Sequence, residues 1–121
     1  VTPRASFLLT LSVLASVTAT GCGSRLREAS EERQCRANMN QLATEEAQFF
    51  QANNRWGELF ELERMVRRDE PLLCPSGGGL YTITLTGSSY RIDCPCGRHG
   101  FVQDGNQSWA AEERPVTRRS T

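Results

Sequence analysis

Leu80-Tyr81-Thr82-Ile83-Thr84-Leu85-Thr86-Gly87-Ser88-Ser89-Tyr90-Arg91-Ile92-Asp93-Cys94 is the stretch that decides the fold. Tyr81, Ile83 and Leu85 alternate with threonines, the period-two pattern of a strand buried on one face. Gly87-Ser88-Ser89 is a turn, and Tyr90, Ile92 and Cys94 resume the alternation. Successive strand side chains point to opposite faces, so these apolar positions form one face of an antiparallel hairpin. Phe101-Val102 predicts a short third strand. A hairpin needs a cover to be stable in water.

The cover lies upstream. Residues 24–54 contain no Gly or Pro and read as one long helix. Cys35, Met39, Leu42, Ala43, Ala47 and Phe50 fall near i, i+4, i+7, i+8 spacing, and Phe49 widens that stripe. Glu28, Glu31 and Glu32 suit the positive end of the helix dipole. Ser30 is a candidate cap for a start at Glu31, and Asn53-Asn54 are stop residues. Trp56 to Arg68 predicts a second, shorter helix with Leu59, Leu62, Met65 and Val66 on one face. Arg67-Arg68 read as a solvated last turn, and Pro71 as the stop. The expected class is α+β, a long N-terminal helix and a short one packed on a small antiparallel sheet. The polar run from Asn106 predicts a disordered tail, giving a domain over 22–104 and a tail over 105–121.

The cysteines bracket the hairpin. Cys74-Pro75-Ser76-Gly77-Gly78-Gly79 precedes it, and Cys94-Pro95-Cys96-Gly97-Arg98-His99-Gly100 follows it. The hairpin therefore returns Cys94 or Cys96 to Cys74. A disulfide closing about 20 residues contributes roughly 3 kcal/mol, a large share of a small domain's stability. Cys35, Cys74, Cys94 and Cys96 are the disulfide candidates, with a Cys94–Cys96 bridge the most strained pairing. The expected domain is thus disulfide-stapled and free of cofactor. The alternative is zinc held by Cys74, Cys94, Cys96 and His99, with Cys35 to spare, or thiol-redox work by Cys-Pro-Cys. The spacing is not that of paired CxxC knuckles, and His99 by itself reads as a turn or surface residue.

Charge and motifs exclude other classes. Lys+Arg and Asp+Glu are each 14, so no bulk charge points to nucleic acid. A single His and the lack of Gly-x-Ser-x-Gly, P-loop or HExxH patterns predict a protein that is not an enzyme.

The first residues resemble an export leader. Arg4 precedes the apolar run Phe7-Leu8-Leu9-Thr10-Leu11-Ser12-Val13-Leu14-Ala15, which is shorter than the ~20 residues a membrane-spanning helix needs. Ala19-Thr20-Gly21-Cys22 resembles a bacterial lipobox, although Ala19 stands where Leu is usual. The resemblance implies cleavage after residue 21, lipidation of Cys22, and a membrane tether in the cell envelope. With Gly23 rather than Asp next, the outer membrane facing the periplasm is favoured in a Gram-negative cell. Conventional cleavage near Val17-Thr18-Ala19 and an uncleaved anchor helix are the competing readings.

The order of motifs along residues 25–101 resembles type II secretion pseudopilins and related type IV pilin-like proteins. Its pieces are Cys35-Arg36-Ala37-Asn38-Met39-Asn40-Gln41-Leu42, then Trp56 with Leu59. Cys74-Pro75-Ser76-Gly77-Gly78 with Tyr81 follows, then Cys94, His99 and Gly100. Cys96 and Gly79 are additions to that pattern. A pilin-type leader would carry Gly before Phe7 and Glu at the fifth position of the apolar helix. Here Ser6 and Leu11 stand there. The resemblance implies an α+β head that meets protein partners of a secretion or pilus-like assembly, on a lipid anchor instead of a filament-forming stem. A degenerate pseudopilin that still enters a filament is the variant.

Overall fold

A computed structural model describes residues 22–113. The leader expected over 1–21 and the final residues of the expected tail, 114–121, lie outside the described residues. Helix α1 spans Cys22–Asn53 and α2 spans Leu59–Val66. Strands β1 (Thr82–Thr86), β2 (Ser89–Asp93), β3 (Phe101–Gln103) and β4 (Asn106–Gln107) form one antiparallel sheet in sequential order. The α+β class, with a long helix, a short helix and a small antiparallel sheet, is as the sequence predicts; α1 lies on the sheet, whereas α2 packs against α1. Among the described residues no helix is long and apolar enough to cross a membrane.

The hairpin pairs Ile83 with Ile92 and Leu85 with Tyr90, across a two-residue loop, Gly87-Ser88. Gly87 has φ +57°, the left-handed conformation that such a tight loop requires. Tyr81, Tyr90, Ile92 and Cys94 are buried, but Leu85 is exposed. The reason is position: β1 is the edge strand, whereas α1 lies over β2 and β3. The sheet also continues past the predicted boundary. Asn106 pairs with Gln103 in β4, and Trp109 is buried with Arg36 stacked 4.9 Å from its ring. The polar sequence after residue 105 hid one aromatic anchor, and residues 108–113 run in turns around it.

α1 starts at Cys22, so Ser30 lies inside it and caps nothing. It ends as expected: Asn54 turns left-handed (φ +57°) and donates its N–H to Phe50 O at 2.7 Å. α2 is shorter than predicted. The N–H of Glu58 is satisfied by Glu61 Oε1 (3.2 Å), and left-handed Arg67 closes the helix ahead of Pro71. Arg68 is not a solvated helix end; it turns back and pairs with Glu45.

The buried stripe of α1 differs from the predicted one in its second half. Ala47 and Phe50 are exposed, and the inward positions run Cys35, Asn38, Met39, Leu42, Glu45, Glu46 and Phe49. This is the 3.6-residue period followed strictly; two glutamates on it disguised it. Both are fully buried. Glu45 pairs with Arg68 and accepts from Gln41 Nε2 at 3.0 Å. Glu46 Oε2 accepts the Gly57 N–H at 2.8 Å, which draws the loop between the helices onto α1. Gly57 is required there because a Cβ would lie 2.9 Å from Phe49 Cδ1.

Burial raises the Glu46 carboxyl from 4.5 to about 7, despite the opposing Gly57 N–H, with Glu61 adding to the rise. The folded chain thus holds a proton that the unfolded chain loses, and stability falls as pH rises from about 4.5 through about 7. Glu46→Gln should therefore stabilise the protein above pH 7, by up to about 3 kcal/mol, and leave it nearly unchanged at pH 4.5. Urea midpoints of both proteins at the two ends of that range check this; an equal shift at both ends rules it out.

Candidate metal centre

The two loops that bracket the hairpin are closed by their own backbone. In the first, Cys74 N donates to Gly79 O (3.0 Å) and Gly78 N to Cys74 O (2.8 Å), below a Leu73–Leu80 bridge. Gly77 and Gly78 both have positive φ, so the loop can reverse within a few residues. In the second, Gly97 N donates to Cys94 O (3.0 Å), a turn with Pro95 at its favoured second position. Cys94 N donates to Gly100 O (3.4 Å), which closes the loop. Each loop keeps its cysteine at the base, pointing inward and buried.

One face of α1 docks on both loops. Ser76 Oγ donates to Glu31 Oε2 (2.7 Å), Arg36 Nε to His99 O (3.2 Å), and Asn38 Nδ2 to Leu73 O (3.1 Å). Cys35 sits among these contacts and is fully buried. Its sulfur lies 3.2 Å from Cys94 Sγ, which in turn lies 3.5 Å from Cys74 Sγ. His99 Nδ1 is 3.6 Å from Cys94 Sγ and 3.9 Å from Cys74 Sγ. The ligand atoms of Cys35, Cys74, Cys94 and His99 all fall within 4.8 Å of one another. Cys96 stands at the outer side, half-buried, with its sulfur 2.9 Å from Cys94 Sγ and 3.4 Å from His99 Nδ1.

These distances bear on the two chemistries expected from the sequence. A disulfide needs about 2.05 Å between sulfurs, and the shortest approach here is 2.9 Å. The expected staple is not formed: Cys35, Cys74, Cys94 and Cys96 are free. Cys94 faces three sulfurs and an imidazole at once. A tetrahedral zinc with bonds of about 2.3 Å to sulfur and 2.0 Å to nitrogen sets its ligand atoms roughly 3.5–3.8 Å apart. The Cys74–Cys94 and Cys94–His99 spacings fall in that range, Cys74–His99 is slightly wider and Cys35–Cys94 slightly tighter.

The surroundings suit sulfur ligands. Burial pushes the Cys35 and Cys94 thiols above their ordinary values. A bound cation reverses that order, because its charge holds a coordinating thiol deprotonated. Tyr81 OH lies within hydrogen-bond reach of Cys35 Sγ at 3.3 Å and accepts from Asn38 Nδ2 at 3.2 Å. Burial pushes the Tyr81 phenol upward, aided by that bond to Cys35, so it remains a donor.

All the cysteines and the histidine read from the sequence meet here, apart from Cys22, which opens α1. The roles change. Cys35 belongs to the cluster rather than being spare, and His99 is buried, 6% exposed, rather than on the surface. The signal for Cys35 was present: it lay on the helix face that had to meet the hairpin. Arg36 had no sequence signal beyond helix membership, and Asn38 and Tyr81 stood out only as pieces of the resemblance, with no role at the site. No family model, curated protein or solved structure matches this chain.

Removing the Tyr81 hydroxyl leaves Asn38 and the Cys35 sulfur short of a buried partner. Tyr81→Phe should cost about 1–2 kcal/mol in a denaturant titration. A change near zero shows that the hydroxyl supports nothing.

Proposed function

We infer that this chain is a metal-stapled, non-enzymatic module of a cell-envelope assembly. The buried convergence of Cys35, Cys74, Cys94 and His99 within 4.8 Å carries the reading. Three thiolates and one imidazole favour zinc, and four protein ligands leave no open coordination position. Such a closed site supports a structural role rather than hydrolysis. The metal would tie α1 to both hairpin loops, whereas the disulfide expected from the sequence would close the hairpin alone.

The leader-like residues ending at Cys22 and the pseudopilin-like order of motifs support the rest. In this reading Cys22 carries the lipid and the domain faces the periplasm from the outer membrane. The domain engages protein partners of a secretion or pilus-like assembly.

Elemental analysis with thiol counting on the full chain tests the centre. One zinc per chain and free thiols at all four remaining cysteines are expected; structural zinc contributes about 10 kcal/mol or more, so a strong chelator should unfold the domain. His99→Ala and Cys35→Ser should each lower zinc occupancy. Metal-free protein with two disulfides sinks the reading.

A separate measurement tests the tether. Cys22→Ala should abolish fatty-acid labelling and release the chain from membranes. Unlabelled wild-type protein that stays membrane-bound would point to an uncleaved anchor helix instead.

A further inference from the structure

The centre has one more sulfur than a tetrahedral metal can use. Cys35, Cys74 and Cys94 are buried, while Cys96 is half-buried and sits on the solvent side. Its sulfur is closer to Cys94 Sγ (2.9 Å) than any other pair of sulfurs reported in the site. The Cys94–Gly97 turn produces this approach, with Gly97 N bonded to Cys94 O and Gly97 at φ +72°. The Arg98 N–H points at Cys96 Sγ from 3.4 Å, a donor that would stabilise negative charge on that sulfur. The arrangement is an accessible thiol resting against a buried metal-ligand thiol.

We propose that Cys96 and Cys94 form a thiol–disulfide exchange pair that opens the metal centre in response to disulfide-bearing small molecules or peptides. This rests on the metal reading above. Cys96 loses its proton to solvent and attacks one sulfur of the substrate disulfide RSSR. A Cys96–SR bond forms, the S–S bond of the substrate breaks, and RS⁻ leaves. The Cys94 thiolate then leaves the metal and attacks Cys96 Sγ. The Cys94–Cys96 bond forms and the second RS⁻ departs, one of the two taking up the proton. The two cysteines are oxidised by two electrons and RSSR is reduced to two thiols. The metal keeps Cys35, Cys74 and His99, and water takes the fourth position. A three-ligand site holds zinc more weakly and exchanges it.

The test uses the zinc-loaded full chain with oxidised glutathione as the probe. Release is followed with a metallochromic dye, and bonds are mapped by proteolysis and mass spectrometry. Wild type should release zinc as a Cys94–Cys96 bond appears. Cys96→Ser should start with the same zinc content and release it about tenfold or more slowly, since the attacking thiol is gone. Cys94→Ser should accumulate a glutathione mixed disulfide at Cys96, whether or not that variant retains metal.

Equal release by wild type and Cys96→Ser overturns the proposal, as does loss of zinc from Cys96→Ser before any oxidant is added. If wild type proves to hold no zinc, the metal reading fails separately. The exchange pair then stands only if oxidised glutathione yields the Cys94–Cys96 bond, and falls if Cys35 or Cys74 is bridged instead.

Discussion

The convergence of Cys35, Cys94, Cys74 and His99 within 4.8 Å joins three pieces of chain, beside the hydrogen bonds that Glu31, Arg36 and Asn38 make to the two loops. The hairpin can form from its own turn, and each loop closes on its own backbone. A single helix laid on a four-stranded sheet buries a limited apolar area, and domains of this size are correspondingly marginal. Around Cys35 the interface is polar: sulfur, imidazole, an amide and a phenol meet there. A polar interface of this kind is stable only when every member has a partner. The arrangement of Asn38, Tyr81 and Arg36 around the cluster follows from that requirement.

The far end of α1 repeats the pattern with different chemistry. Glu45 and Glu46 enter the interior where a smaller apolar residue would have been the ordinary choice. Each takes a partner from the segment after the helix: Arg68 for one, the Gly57 N–H for the other. Trp56 completes that end. Its ring lies between Phe50 and Tyr90, at 4.4 and 4.7 Å, and its Nε1 donates to Ser88 O in the hairpin loop. α1 is therefore fixed at two stations, with Met39 and Leu42 packed between them. An unpaired carboxylate oxygen remains on each buried glutamate, and a proton on Glu46 relieves the cost there.

The period-two alternation at Tyr81, Ile83, Tyr90 and Ile92 made the hairpin legible, because it has no competing explanation. The cysteine and glycine clusters on either side of it made the site legible as a place. Its chemistry was not legible, because disulfide and metal use the same residues. What the sequence does not give is which groups Cys94 faces, and that depends on where α1 crosses. The buried half of α1 was misread where glutamates occupy inward positions, since hydropathy scores a paired carboxylate as a surface residue. Trp109 was missed for the opposite reason: a lone aromatic in a polar run has no periodicity to betray it. Arg68 was read by its place at a helix end, and only the partner across the interface, Glu45, gives it a different role.

The spacings of the clustered residues along the chain have an entropic consequence. Cys94 and His99 are 5 residues apart, Cys74 is 20 residues from Cys94, and Cys35 is 59 residues from it. Loop-closure entropy grows with the logarithm of the span, so bringing in Cys35 costs about 2 kcal/mol more than closing the Cys94–His99 turn. The cluster is thus made of parts of unequal entropic cost: the hairpin brings Cys74, Cys94 and His99 together over short spans, and the crossing of α1 adds Cys35 over the longest one. The same crossing covers the cluster on the side where α1 lies.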